Sequence, residues 1–352
     1  MIISVGILAY NEADQISETI DSFFSQSIFS IENQLPVTWE IICIPNGCMD
    51  DTASIAQQAF DRHTKKLNNE HLSCAVIEVT EAGKSNAWNK YIHDYSCKDA
   101  DALLLMDADI TFKEIDTLKN MITKLLVTPN ADVVVDLLFK DIVFNKRKSL
   151  LEKISIQMSE NKDKNRVTLS GSLYLGRSKT LRNVWMPKGL PGEDGFLRAM
   201  IVTDMFRQKQ DDSRIVLAEH ASHTYEACSS LKEIFHHELR LIIGTSLNCY
   251  LNWDFLLFAT DPNGLGAGDL IKNRLSKDPD WYSKLIKNQI LNHGFWVLPR
   301  GMLFSSFRKL KIKGTRNLFI DILLSLMAFF FRLPIYLVAN YKLKKGSAIG
   351  FW

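Results

Sequence analysis

The chain has no Cys-x-x-Cys pair, no zinc-finger spacing, no long basic stripe and no interleaving of basic and aromatic residues. Its six cysteines (Cys43, Cys48, Cys74, Cys97, Cys228 and Cys249) fall mostly within apolar or helix-patterned stretches. That usage fits reduced, partly buried thiols and excludes a cysteine-built metal site or redox dithiol. A net charge of only +2 over 352 residues leaves no electrostatic footprint for nucleic acid. Met1-Ile2-Ile3-Ser4-Val5-Gly6-Ile7-Leu8 lacks the basic n-region and cleavage site of a signal peptide and reads as a strand, so the expected compartment is the cytoplasm. Internal repeats and low-complexity tracts are also missing.

What remains is an ordinary globular composition, 46% hydrophobic and 23% charged, with chain enough for one large domain or two. Apolar runs at residues 2–8, 40–45, 74–79, 102–106 and 132–139 alternate with helical patterns near 13–26, 51–67, 85–95 and 113–126. This rhythm predicts a Rossmann-type α/β fold, a mostly parallel sheet flanked by helices. A polar, lysine-rich stretch at 144–166 predicts a further helix, and 167–175 another strand. Residues 187–192 read as a turn, 196–206 as a helix, and 229–250 as a long serine-capped helix. The glycines of 261–268 could cradle phosphate, but without a strand-to-helix frame they read as a plain loop. We expect a unit of residues 1–250 (nucleotide-binding half 1–140, acceptor half 141–250), then a helical region at 251–352.

The most informative segment is Leu103-Leu104-Leu105-Met106-Asp107-Ala108-Asp109. Ligands of open α/β sheets bind beyond strand carboxyl ends, and alternate residues leaving a strand project to the same side. Two hard oxygen ligands there suit Mg²⁺ or Mn²⁺, which also takes phosphate oxygens. The same pair could also simply end a strand and cap the next helix. Three other loops stand at strand ends. Ala9-Tyr10-Asn11-Glu12 offers an aromatic and polar groups for a nucleoside, and Asn46-Gly47-Cys48-Met49-Asp50-Asp51-Thr52 offers a tight turn and a helix start. Glu81-Ala82-Gly83-Lys84-Ser85 places a lysine where a diphosphate meets a helix N-terminus.

The tail, residues 318–339, is nearly all apolar but contains Asp321, Arg332 and Pro334 and is flanked by lysines and arginines. It is almost the ~20 apolar residues a bilayer span needs. Two charges within it cost a few kcal/mol each in hydrocarbon. A pair of interfacial helices anchored by lysines on anionic lipid, at the inner face of the cell membrane, is the expectation; a buried helix pair and a true span are the alternatives.

In order and spacing these motifs resemble the family 2 glycosyltransferases of the GT-A fold. That family's pattern runs PxYNE, xDGSxDxT, GKxxAxN, DAD and a downstream Glu-Asp. This chain reads AYNE, PNGCMDDT, GKSNAWN, DAD and Gly192-Glu193-Asp194-Gly195. The resemblance covers roughly residues 1–245, with an echo at Gly350-Phe351-Trp352. It implies a GT-A-like sheet and an inverting, nucleotide-sugar-dependent transferase of the kind used in polysaccharide biosynthesis. Ala9, Tyr10 and Glu12 would line the nucleoside pocket, and Asn46, where the family often has aspartate, would face the base. Lys84 and Asp107 would contact the ribose or diphosphate. Asp109, with Asp107, would hold Mn²⁺ or Mg²⁺, and Asp194, beside Glu193, would be the general base. His223, preferred over His220, would add a nitrogen ligand, although a structural histidine fits as well. His237-Glu238-Leu239-Arg240-Leu241 stands where processive members carry Gln-x-x-Arg-Trp. Arg240 could steady the leaving diphosphate or pair with Glu233 or Glu238.

Displacing a nucleoside diphosphate from a sugar carbon by an alcohol needs a proton acceptor at the hydroxyl and positive charge at the leaving group. The expected partners are a nucleotide-sugar donor, a glycan or lipid-linked acceptor and a membrane surface, and no nucleic acid. Two other readings stay open, a nucleotidyltransferase and a non-catalytic sugar-nucleotide or membrane-binding scaffold.

Overall fold

The computed structural model describes residues 1–30, 35–141, 167–226, 230–261, 263–299, 301–304, 307 and 318–346. The lysine-rich stretch 144–166, the basic residues 308–316 and Gly350-Phe351-Trp352 lie outside them. Four strands, β1 (Ile2–Ala9), β2 (Thr38–Pro45), β3 (Leu72–Val76) and β4 (Ala102–Asp107), form a parallel unit in the order β3-β2-β1-β4. Residues 3–9 of β1 and the first five of β4 are all buried, the continuous burial expected of strands covered on both faces. Alternate residues serve separate cores. Ile3, Val5 and Ile7 face Ile20, Phe23 and Phe60, while Leu103 and Leu105 belong with Trp88, Tyr91 and Phe196.

Register fixes where the site lies. Ala9 is opposite Pro45, and Leu8 is opposite Asp107, so three strands end together at one edge. α1 (Ile16–Phe24) follows β1, α2 (Thr52–Leu67) follows β2 and α3 (Lys84–Asn89) follows β3, bringing Lys84 to Asp107 at that edge. α3 passes directly into a π-helical turn at Lys90–Tyr95.

The second half of the sheet is mixed. β5 (Ile110–Phe112), β6 (Val133–Lys140), β7 (Leu173–Arg177) and β8 (Ile215–Tyr225) complete the order β4-β7-β6-β8-β5. β7 runs antiparallel to both β4 and β6, β8 is parallel to β6, and β5 is antiparallel to β8. Helix α4 (Thr117–Val127) bridges β5 and β6. The strand expected from residue 167 begins only at Leu173. The β6–β8 ladder has a register shift between Val135 and Leu137, and His220 within β8 takes φ 53°.

Helix α5 (Glu193–Val202) ends four residues earlier than expected. Asp204, Met205 and Phe206 take φ of 48°, 57° and 62°, which no right-handed helix can continue. Arg207 and Arg214 hold that turn by ion pairs to Asp204 at 2.9 and 3.1 Å, and Thr203 Oγ1 accepts the Phe206 amide. Ser230 caps α6 (Leu231–Asn248) as expected, its Oγ accepting the Glu233 amide at 3.2 Å. α7 (Ala267–Lys277) and α8 (Trp281–Asn292) follow. Gly268 opens α7 against the Asn183 carbonyl, where an added Cβ would sit 1.8 Å from the oxygen. That close approach, not a phosphate cradle, accounts for glycine there.

The tail is one helix, α9 (Leu318–Lys345), running through Pro334 instead of breaking into a pair. Ile335, Tyr336, Ala339 and Leu343 bury its inner side in the same core that holds Trp88 and Phe196. Residues on both sides of position 250 therefore share one interior. Asn340 accepts the Val297 amide and donates to the Phe295 carbonyl, and Arg332 meets Glu238 of α6 at 3.4 Å.

One small residue tests the packing of the parallel unit. An added Cβ on Gly6 would lie 2.8 Å from the Tyr91 ring, whose hydroxyl donates to Ser4 Oγ at 3.1 Å. Gly6→Ala overpacks a dense interior and should cost about 1–3 kcal/mol, measured by urea denaturation. An unchanged midpoint would mean that the π-turn carrying Tyr91 yields without cost.

Candidate active site

The loops beyond β1 and β2 are stitched by backbone donors. Asn11, at φ 55°, accepts the Met49 amide at 2.8 Å, Glu12 N–H donates to Thr52 Oγ1 at 2.9 Å, and Ala13 N–H donates to Asp50 at 3.1 Å. Asp50 in turn accepts the Thr52 hydroxyl. Much of the AYNE and PNGCMDDT chemistry thus shapes the cleft wall. Ala9 is buried and its carbonyl accepts the Asn46 amide at 2.8 Å, while Tyr10 is half exposed at the rim.

Asn46 departs from expectation. It is buried, its Nδ2 donates to the Glu81 carbonyl at 2.7 Å and its Oδ1 accepts the Gly83 amide at 2.6 Å. Both ends of the amide clamp the next loop, so it does not face a base in this arrangement. It sets the entry to α3, with Gly83 at φ 135° and Lys84 as the first helical residue.

Lys84 is the hub. Its Nζ lies 2.6 Å from Asp107 Oδ1 at the end of β4 and 3.1 Å from Glu193 Oε1 at the start of α5. Burial alone would lower the ammonium, but Asp107 and Glu193 hold it well above the usual lysine value. Burial would raise Glu193, yet Lys84, with a contribution from the charge of Arg240, holds it below the ordinary carboxylate range. Asp107 is pushed up to about 6 by burial, Lys84 opposing and Asp109 adding. Gly171, just before β7, marks where these groups converge. A Cβ there would be 3.0 Å from Glu193 Oε1, 3.4 Å from Lys84 Nζ and 3.7 Å from Asp194 Cβ.

Asp194 follows in the first turn of α5, its Oδ1 accepting the Gly195 amide at 2.7 Å. Gly192, at φ 70°, opens this helix and approaches Gly244 of α6, while Asn248 donates to its carbonyl at 2.7 Å. Arg240 stands exposed on α6. Glu238, one of its expected partners, pairs with Arg332 instead.

Beside this hub is an excess of negative charge. Glu12 is pushed from 4.5 up to about 7, first by burial and then by Asp109, Asp107, Glu226 and Asp50. Glu226 escaped the sequence reading, since a lone acidic residue carries no signal. It follows Tyr225, which pairs with Ile110 next to Asp109, and only that antiparallel register reveals it. Among the described residues no three acidic, imidazole or thiol groups close around a single point. The donor set therefore fits a hard divalent cation held by one or two carboxylates, its other positions filled by water and phosphate oxygens.

His223 is not part of that set. It is fully buried, its Nδ1 lies 2.7 Å from Asp136 Oδ2 and its Nε2 lies 2.9 Å from Ser172 Oγ. With both nitrogens engaged, the expected metal ligand is instead a structural histidine of the sheet. His220 is exposed, and its carbonyl accepts from Asn120.

The Glu12 shift fixes a pH dependence. The folded state keeps a proton that the unfolded chain releases near 4.5, so the Glu12 contribution to stability is complete below that value and lost as pH rises through about 7. In chelator, the melting temperature should fall between pH 5 and pH 8, and Glu12→Gln should flatten the fall. Calorimetry on both proteins checks this, and parallel profiles would contradict it.

Comparison with known proteins agrees with this architecture. No curated protein matches the chain in sequence. Among solved structures, a mannosyltransferase from Pyrobaculum calidifontis, in complex with GDP-Man and Mn²⁺, is similar over 97% of this chain and 86% of its own, with TM-score 0.54 and 15% identity. Glucosyl-3-phosphoglycerate synthase from Mycobacterium tuberculosis, in complex with Mn²⁺, UDP and phosphoglyceric acid, covers 70% of this chain and 78% of its own, with TM-score 0.47 and 18% identity. The first likeness establishes a shared fold. The model of glycosyl transferase family 2 matches residues 4–185, from the first strand through β7 and past the Lys84–Asp107 pair. With more than half its length inside that match, the chain belongs to glycosyl transferase family 2.

Proposed function

We propose that the chain is a metal-dependent, inverting glycosyltransferase that passes a sugar from a nucleotide-activated donor to a hydroxyl of a glycan or lipid-linked acceptor. The observation that carries this reading is the convergence of Lys84, Glu193 and Asp194 around Gly171, next to the carboxylates at the end of β4. In it, Asp194 takes the proton of the acceptor hydroxyl as that oxygen attacks the anomeric carbon, and one displacement inverts the configuration. Glu193 holds Lys84, and Lys84 with Arg240 supplies fixed positive charge near the departing diphosphate. Asp107 and Asp109 would hold a divalent cation, which when bound neutralises charge on the diphosphate. Ala9, Tyr10 and Glu12 border the nucleoside.

The tail supports attachment at the inner face of the cell membrane. One helix among the described residues, Ser325–Lys345, is long and apolar enough to cross a bilayer, with 29% of its apolar window buried in the protein. Leu326, Met327, Phe330, Phe331, Leu337 and Tyr341 are exposed along it, and Phe295 stands out nearby beneath Lys344. Arg332 is turned to Glu238, so this charge need not enter lipid. We read α9 as lying on an anionic surface, apolar face down, with Lys342, Lys344 and Lys345 at the headgroups.

Two experiments test these readings. In the first, nucleoside diphosphates are screened by thermal stability with and without Mn²⁺. The cognate one, at ~100 times its dissociation constant, should stabilise the wild type by roughly 2.7 kcal/mol and fail to do so in Asp109→Ala. Asp194→Asn should keep that stabilisation and lose about 10²–10⁴-fold in sugar transfer. Full transfer by Asp194→Asn would remove it as the base, and no stabilisation by any diphosphate would remove the donor site. In the second, the protein should sediment with anionic vesicles and Phe330→Glu should release it. Equal partition of both proteins into the supernatant would refute membrane attachment.

A further inference from the structure

A row of hydrogen-bonded polar groups, buried at Asp136 and His223 and half-buried at Ser172 and Ser170, runs across the second half of the sheet. Asp136 in β6 meets His223 Nδ1 in β8 at 2.7 Å, His223 Nε2 meets Ser172 Oγ at 2.9 Å, and Ser172 Oγ meets Ser170 Oγ at 2.7 Å. The Ser172 amide also donates to Ser170 Oγ at 3.3 Å. His223 has no accessible surface, and the Asp136 side chain is only 2% exposed. With a neutral His223 giving its Nδ1–H to Asp136, Nε2 accepts from the Ser172 hydroxyl and the Ser172 oxygen accepts from Ser170. The row ties β6 and β8 to the turn before β7.

The row ends at the turn that touches the catalytic groups. Gly171 lies between the two serines, and a Cβ on it would be 3.0 Å from Glu193 Oε1 and 3.7 Å from Asp194 Cβ. The Ser172 carbonyl accepts the Asp107 amide at 2.9 Å, so the turn is also bonded to the backbone of the first metal-side carboxylate. Resting on the glycosyltransferase reading above, we infer that Asp136, His223 and Ser172 form a positioning chain that fixes the Ser170-Gly171-Ser172 turn, and through it Lys84, Glu193 and Asp194. None of the three touches a reacting atom. They act by denying the turn the freedom to shift, since misplacement of a reacting geometry by about 1 Å costs about 10²-fold in rate.

The test compares Ser172→Ala with Ser172→Thr, which restores the hydroxyl. In Ser172→Ala, kcat should fall about 10–100-fold, while donor KM and Mn²⁺-dependent diphosphate affinity stay within about threefold. Ser172→Thr should recover kcat to within about threefold of wild type. Amide exchange, which needs no turnover, should quicken over residues 169–173 and 192–196 in Ser172→Ala and stay unchanged in β1 and β2. Unchanged exchange at both segments would overturn the inference even if the wild type transferred no sugar, an outcome that would count separately against the glycosyltransferase reading. A loss of Mn²⁺-dependent diphosphate affinity with kcat and amide exchange unchanged would overturn it in favour of His223 as a metal ligand. Labelling of Ser172 by a fluorophosphonate would overturn it in favour of a serine nucleophile, the other use of such a Ser-His-Asp row.

Discussion

One ammonium holds the site together. Lys84 joins the end of a central strand, the start of α3 and the start of α5 through two carboxylates that come from residues far apart in sequence. Removing one partner of a buried pair leaves an uncompensated charge, which is far more costly than the pair is stabilising. Asp107 and Glu193 are thus tolerable beside one another only while Lys84 stands between them. Beside it, Asp109, Asp107, Glu226 and Asp50 add to burial in raising the proton affinity of Glu12. The cleft has a balanced half, which is architecture, and an unbalanced half, which attracts positive charge.

That division explains why so many motif residues prove structural. Asn11, Asn46, Asp50 and Thr52 spend their side chains on backbone groups of neighbouring loops. Irregular chain at the end of a parallel sheet has many unpaired amides, and each must find an acceptor. Side chains that do so hold Glu12, Lys84 and Asp107 in place without touching a ligand themselves.

The parallel unit was legible because its three buried strands, β1, β2 and β4, write their burial as apolar runs, and the carboxylates because they interrupt such a run. The direction of β7 was hidden, since an antiparallel strand buried on both faces carries the same apolar signal as a parallel one. β5 was too short to register, and with it went Glu226, which matters only through the β5–β8 register. His223 looked like a ligand because a histidine near a strand end offers two nitrogens. Whether they are spent depends on Asp136 and Ser172, which lie 87 and 51 residues away. Asn46 misled for a similar reason, as its partners are main-chain atoms that no residue type announces. Pro334 suggested a break, but packing of α9 on α6 and α8 carries the helix through it.

The placing of β5 at the outer edge of the sheet also orders the birth of the molecule. Residues 110–112 follow the Asp107-Ala108-Asp109 turn immediately, yet β8 is the strand they pair with, and the Thr224 hydroxyl that donates to the Thr111 carbonyl is 113 residues distant. A chain leaving the ribosome can assemble β1 to β4 early. It cannot buttress the carboxylate turn until β8 has emerged and settled against β6, and contacts of such long sequence separation form slowly. The carboxylate turn is thus translated early and braced late.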